Sequence, residues 1–202
     1  MAEQMQFAIG AKASCADGPC GELRRLIVDP AADTVTHLVI EPKHRQHPGR
    51  LVPLDLVDST AGEIRLRCTI AEFDRLEPAE ERELVEGPGL GIGGPVGMTP
   101  YAGIPTPALV VDQEIVPVGE EQVGPGEPVH ALDGEIGQVR GFLVDPGDHG
   151  VTHVLLREGH LWGRKDVAIP VSAVTEVRDG IRLNMTKQQV EQLPPVHIDH
   201  SS

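Results

Sequence analysis

The chain has 202 residues, 17 basic against 31 acidic side chains, a net charge of −14, three cysteines and few aromatics (Phe7, Phe73, Phe142, Tyr101, Trp162). Such an acidic balance disfavours general binding to a nucleic-acid backbone. No apolar run approaches the roughly 18 residues of a membrane helix, and Met1 to Ala13 has neither a basic start nor a long apolar stretch, so neither membrane insertion nor secretion is expected.

The chain therefore reads as soluble and cytoplasmic, with cores of Val, Ile and Leu that suit β structure. In chain order, Gln6 to Ala13 reads as a first strand that enters a turn at Asp17-Gly18. Gly21 lies between apolar stretches, where a tight turn or bulge with positive φ is expected. Strands at 23–28 and 34–40 follow, joined through Asp29-Pro30 as a β-hairpin. The polar loop Glu41 to Arg50 leads to a short strand at Leu51-Val52, a turn opened by Pro53, and a final strand from Glu63 to Arg67. Thr69-x-x-Glu72 has the form of a capping box, and Cys68 with Phe73 fits the hydrophobic staple. These signals predict a short helix, stopped before Pro78.

Residues 79–126 carry one basic and eight acidic side chains, and glycine or proline at 17 of 48 positions, which predicts an acidic, mostly irregular linker. Ala108 to Val111 and Glu114 to Val116 are apolar enough for one piece of it to dock as an added strand.

The rest of the chain is the first part repeated. At a displacement of 116, Asp17, Gly18, Gly21, Val28-Asp29-Pro30 and Val35-Thr36-His37 recur as Asp133, Gly134, Gly137, Val144-Asp145-Pro146 and Val151-Thr152-His153. After one added residue the match resumes at 117, with Pro53/Pro170, Val57/Val174, Ile64-Arg65-Leu66/Ile181-Arg182-Leu183, Thr69/Thr186 and Pro78/Pro195. A period this long is a duplicated domain rather than a solenoid repeat. The organisation expected is a domain at 1–78, the linker at 79–126, a second domain at 127–195 and a tail at 196–202. Domains this small bury modest cores, so each is expected to be marginal alone or braced by its twin.

The order of these marks resembles the PRC-barrel family: a G-x-x-G-x-[LV] entry (Gly18 to Leu23, Gly134 to Val139), the V-D-P and V-T-H strands, the turn Ile169-Pro170-Val171 and the closing capped helix. The resemblance covers about 140 residues and leaves out linker and tail. It implies a mainly β chain of two tandem small PRC-type β-barrels, each closed by a short C-terminal helix and joined by the Gly/Pro-rich linker. The family occurs in the H subunit of photosynthetic reaction centres, in a ribosome-maturation factor and in free-standing proteins, and the resemblance implies a binding or scaffolding barrel.

Candidate sites are few. Lys43, Arg45 and Arg50 in the first copy, and Arg157, Arg164 and Lys165 beside Trp162 in the second, make the only basic surface that recurs. It suits a carboxylate-rich peptide or a phosphate, with Trp162 as anchor. The competing reading is an ordinary solvated loop, and His44 and His47 in it lack a carboxylate to complete a metal site. His37 and His153 lie mid-strand and read as structural histidines, the functional alternative being ligands or proton-transfer groups. Cys15, Cys20 and Cys68 correspond to Ala131, Ile136 and Met185 and read as buried hydrophobes, against a metal or redox role. The terminal His197 and His200 read as part of a disordered tail. No nucleophile elbow, phosphate-binding loop or paired catalytic carboxylates are visible. The expectation is a non-enzymatic protein-interaction or scaffold module without cofactor or metal, with a protein partner and either an internal pseudo-dimer or a homodimer. An RNA-processing or ribosome-assembly adaptor and a small-ligand or metal binder are the alternatives.

Overall fold

The computed structural model describes residues 4–42, 48–60, 63–85, 109–158, 165–178 and 180–196. The strands are β1 (Met5–Ala8), β2 (Lys12–Cys15), β3 (Gly18–Asp29), β4 (Thr34–Glu41), β5 (Arg50–Pro53), β6 (Val57–Ser59) and β7 (Ile64–Leu66), followed by helix α1 (Ile70–Phe73). Strands β8 (Glu80–Val85) and β9 (Leu109–Glu114) come next. The second copy runs β10 (Glu121–Val123), β11 (Pro128–Ala131), β12 (Gly134–Val144), β13 (Val151–Glu158), β14 (Asp166–Pro170), β15 (Val174–Glu176), β16 (Ile181–Leu183) and helix α2 (Lys187–Glu191).

Among the described residues the protein is mainly β, with two seven-stranded sheets of the same order. One runs β5-β4-β3-β2-β7-β6 and the other β14-β13-β12-β11-β16-β15, each with one further strand on its longest member. That further strand is exchanged. β1 precedes the first sheet in the chain but pairs antiparallel with β12 of the second, Phe7 opposite Phe142. β10 precedes the second sheet but pairs with β3 of the first, Val123 opposite Leu26. Consecutive amides mark the first crossover: Ile9 N donates to Arg140 O at 2.7 Å, and Gly10 N to Leu23 O at 2.7 Å. The single strand expected over Gln6 to Ala13 is thus two strands on two sheets, and among the described residues no ladder joins the ends of either sheet.

The hairpin loops are exchanged too. Asp29 Oδ1 accepts from Ala31 N at 2.8 Å and Asp145 Oδ1 from Gly147 N at 2.7 Å, so each Asp-Pro turn is held by its own carboxylate. Beyond the turns, Asp33 (φ 52°) and His149 (φ 60°) aim their carbonyls across the molecule. Val35 N donates to His149 O at 3.0 Å, and Val151 N to Asp33 O at 2.8 Å. Strand exchange and loop exchange together put both copies around one apolar core that includes Phe7, Leu26, Leu38, Phe73, Val123, Phe142 and Val154.

The capping boxes form as read. Each helix has its capping box: Thr69 N donates to Glu72 Oε2 at 2.8 Å and Glu72 N to Thr69 Oγ1 at 3.3 Å, matched by Thr186 and Gln189 at 2.8 and 3.4 Å. A second cap comes from the turn aspartates. Asp17 Oδ1 accepts from Ile70 N at 2.8 Å, and Asp133 Oδ1 from Lys187 N at 2.9 Å. Gly21 and Gly137 are required by close approach rather than by a turn: a Cβ on either would sit 2.2 or 2.1 Å from the carbonyl oxygen of Glu41 or Arg157.

The chain divides into two compact units, one of Met1–Ala79 with Val116–Ser202 and one of Glu80–Ile115. The smaller unit is an antiparallel two-stranded ladder, Glu80 opposite Glu114 and Val85 opposite Leu109. The segment expected to dock from within 108–116 therefore pairs with β8, and the piece that joins a large sheet is Glu121–Val123.

Candidate functional site

Of the basic residues singled out, Arg50, Arg157 and Lys165 are described, while Lys43, Arg45, Trp162 and Arg164 lie outside the described residues, as do His44 and His47. All three described side chains bond within the chain. Arg50 Nη1 donates to Leu76 O at 3.1 Å, just past α1. Lys165 Nζ donates to Glu191 O at 2.9 Å and to Leu193 O, past α2. Leu76 and Leu193 are equivalent positions, so each copy steadies its helix end with a cation from the root of the same loop, where unpaired carbonyls carry partial negative charge. Arg157 makes a two-point contact with Asp166, Nε to Oδ1 at 2.9 Å and Nη2 to Oδ2 at 3.2 Å. That pairing raises the guanidinium's affinity for its proton and clamps β13 to β14.

The histidines sit at the strand exchange. Ile27 pairs with His37 and Val28 with Val35, so Thr36 is the extra residue of a bulge in β4 that lets Thr36 and His37 both stand out, and β13 repeats it against β12 at Thr152 and His153. In each copy the histidine Nδ1 lies 3.1 Å from the neighbouring threonine Oγ1. Threonine in turn meets the residue that leads in the exchanged strand. Thr36 Oγ1 is 2.6 Å from Glu120 Oε2, the carboxylate itself lying 3.9 Å from His37 Nδ1. Thr152 Oγ1 accepts from Gln4 Nε2 at 3.0 Å and donates to Leu143 O at 3.0 Å. These contacts favour the Nδ1–H tautomer and tie down both exchanged strands, so the described bonds of the histidines fit the structural reading.

Glu120 and Gln4 were missed from the sequence. They are equivalent at the displacement of 116, and Gln6/Gln122 and Gly10/Gly126 show that the repeat starts ahead of Asp17. Two isolated identities make a faint signal. The next residue, Glu121, bonds Arg178 Nε at 3.2 Å, linking β10 to the second copy as well.

A small apolar cavity of about 30 Å³ lies between the Asp29-Pro30 turn and the second sheet, with Val154 and Val171 in its wall. The first copy has Leu38 and Leu54 at those two positions. The three cysteines are buried and free at one end of the first sheet. Among the described residues no three His, Cys, Asp or Glu side chains are arranged to hold a metal ion, and no helix is long and apolar enough to cross a membrane. The chain matches no protein-family model and no curated protein.

Proposed function

We propose that this chain is a cytoplasmic, non-enzymatic interaction or scaffold module, two PRC-type barrels fused into an internal pseudo-dimer. The observation that carries it is the reciprocal exchange of β1 and β10, which makes one core of two copies of one fold. An exchange of this kind fixes two equivalent surfaces relative to each other, as a symmetric dimer does, within a single chain. The loops that hold Lys43 and Arg45, and Trp162 and Arg164, leave from roots clamped by Arg50, Arg157–Asp166 and Lys165. Clamped roots reduce the ordering cost of binding there, and the recurring cations select a protein partner rich in carboxylates.

The test is capture of partners by the tagged protein from its native host, with and without nuclease, repeated with the double variant Arg45→Ala/Arg164→Ala. Lys165 is left intact because it supports α2. A nuclease-resistant partner that binds the purified protein and weakens at least tenfold in the variant supports the reading. Ribosomal proteins that disappear with nuclease would replace it with the RNA-adaptor reading.

A further inference from the structure

The cavity beside the Asp29-Pro30 turn is built by both copies. Its floor is second-copy core, with Phe142, Val154 and Ile181 all buried, and Val28 and the turn of the first copy close it from the other side. Val171, Val174 and Val177 stand along its open side, in the turn Val171–Ala173, on β15 and just past β15. All three are half-buried.

The equivalent place beside the first sheet serves as an internal control. Leu38 and Leu54 stand there for Val154 and Val171, each larger by a methylene. Leu54 and Val57 are buried, whereas their counterparts Val171 and Val174 are partly open. The loop that crosses from the other copy differs as well. His149 brings its ring within 3.9 Å of Asp55, the neighbour of Leu54, while the counterpart of His149 is the shorter, exposed Asp33. One joint between the copies is filled and covered, and the other is left open and apolar.

The size and walls of the opening select its occupant. A cavity of about 30 Å³ has room for roughly two or three heavy atoms, so it takes the end of a ligand rather than a whole large one. Water is a poor occupant, because walls of valine, phenylalanine and isoleucine offer it no hydrogen-bond partner. An alkyl end gains by leaving water for such walls. The rim is acidic, since Asp29 and Asp33 both line it. Asp29 Oδ1 accepts from Ala31 N and Ala32 N at 2.8 and 3.3 Å, and Asp33 is the exposed carboxylate at the mouth. Arg178, which follows Val177, is held by Glu121 at 3.2 Å.

We propose that this cavity binds a short alkylamine, its alkyl end between the two copies and its ammonium group at Asp33. An alkyl carboxylate of the same length would meet like charge at the rim. An occupant touches both copies and so stabilises the joint between them.

The full chain is titrated at neutral pH with propylamine and with propionate, and equilibrated with xenon as an apolar probe without a head group. Valine methyl NMR reads the site. Xenon and propylamine should shift the Val154 methyls saturably, and propylamine should bind roughly threefold more tightly than propionate, the scale of one exposed charge pair. Val154→Leu and Val171→Leu borrow the first copy's residues and should each weaken xenon and propylamine roughly tenfold, read at the remaining valines. Val171→Ala enlarges the cavity and should tighten xenon binding. Asp33→Asn keeps a residue suited to positive φ, so it should leave xenon binding unchanged and abolish the preference for propylamine. No saturable shift in the native chain, undiminished binding in both leucine variants, xenon bound no tighter by Val171→Ala, or propionate bound as tightly as propylamine would each overturn the proposal.

Discussion

The two copies share a topology and differ where one strand must approach another. On the second sheet β1 runs four residues, with Ala8 opposite Gly141, and a Cβ on Gly141 would lie 2.0 Å from Phe7 O. The first copy has Arg25 at the equivalent position, and there β10 ends one residue earlier, at Val123. Gly124 instead lies against the Arg25 stem, its would-be Cβ 3.4 Å from Cγ. The exchanged strands are therefore unequal. β1 is the longer and carries Phe7, fully buried, while β10 carries the smaller Val123. A duplicated fold keeps its pairing scheme while its two halves settle packing separately.

The largest expected effect separates the two exchanged strands by what they bury. Phe7→Ala should destabilise the protein by about 3–5 kcal/mol, from lost transfer free energy and the cavity left behind. Val123→Ala should cost only about 2 kcal/mol, the scale of one buried valine. Denaturant unfolding of both variants checks this, and equal losses would mean that the two strands are worth the same to the core.

Next comes the backbone contact. Gly141→Ala should cost roughly 1–3 kcal/mol, because the added methyl meets a carbonyl and β1 must shift. Gly124→Ala meets only a flexible side-chain stem and should stay within about 0.5 kcal/mol of the native protein. Amide exchange at Phe7 and Ile9, the amides that face β12, should quicken in Gly141→Ala if β1 is the strand displaced. Unchanged protection there would place the strain elsewhere.

The smallest effect separates the helix caps. Hydrogen bonds from the Thr69 amide and hydroxyl hold the Glu72 carboxyl below the usual carboxylate range, whereas its counterpart Gln189 does not titrate. A folded-state value below the unfolded one stabilises at pH above the ordinary glutamate value of about 4.3 and is lost as pH falls through the lowered value. Glu72→Gln should remove that acid sensitivity from α1 with little change at neutral pH. A pH series of denaturation midpoints checks it, and an unaltered acid limb in the variant would show that the α1 cap does not contribute there.

Much of this was legible in the sequence because it is local. The Asp-Pro turns, the capping boxes and the strands around them lie within a few residues, and the doubled pattern of Val-Thr-His and Ile-Arg-Leu announced two copies. The candidate basic residues were legible as a recurring cluster, but their bonds were not. Nothing local says that Arg50 and Lys165 reach carbonyls 26 and 28 residues further on. Asp17 and Asp133 likewise read as turn residues, and only the fold makes them caps for helices more than 50 residues away.

By itself the sequence determined a mainly β chain, its duplication, its helix caps and its hairpin turns, because each depends on side chains and backbone close together along the chain. The tertiary structure decided which sheet each leading strand joins. A strand of three or four residues has too few alternating positions to specify a partner, and either sheet offers the same free edge along its longest strand. The choice falls to the burial of Phe7 and Val123, the clearance at Gly141, and the bonds of Gln4 and Glu120. Those contacts exist only once both copies are folded together.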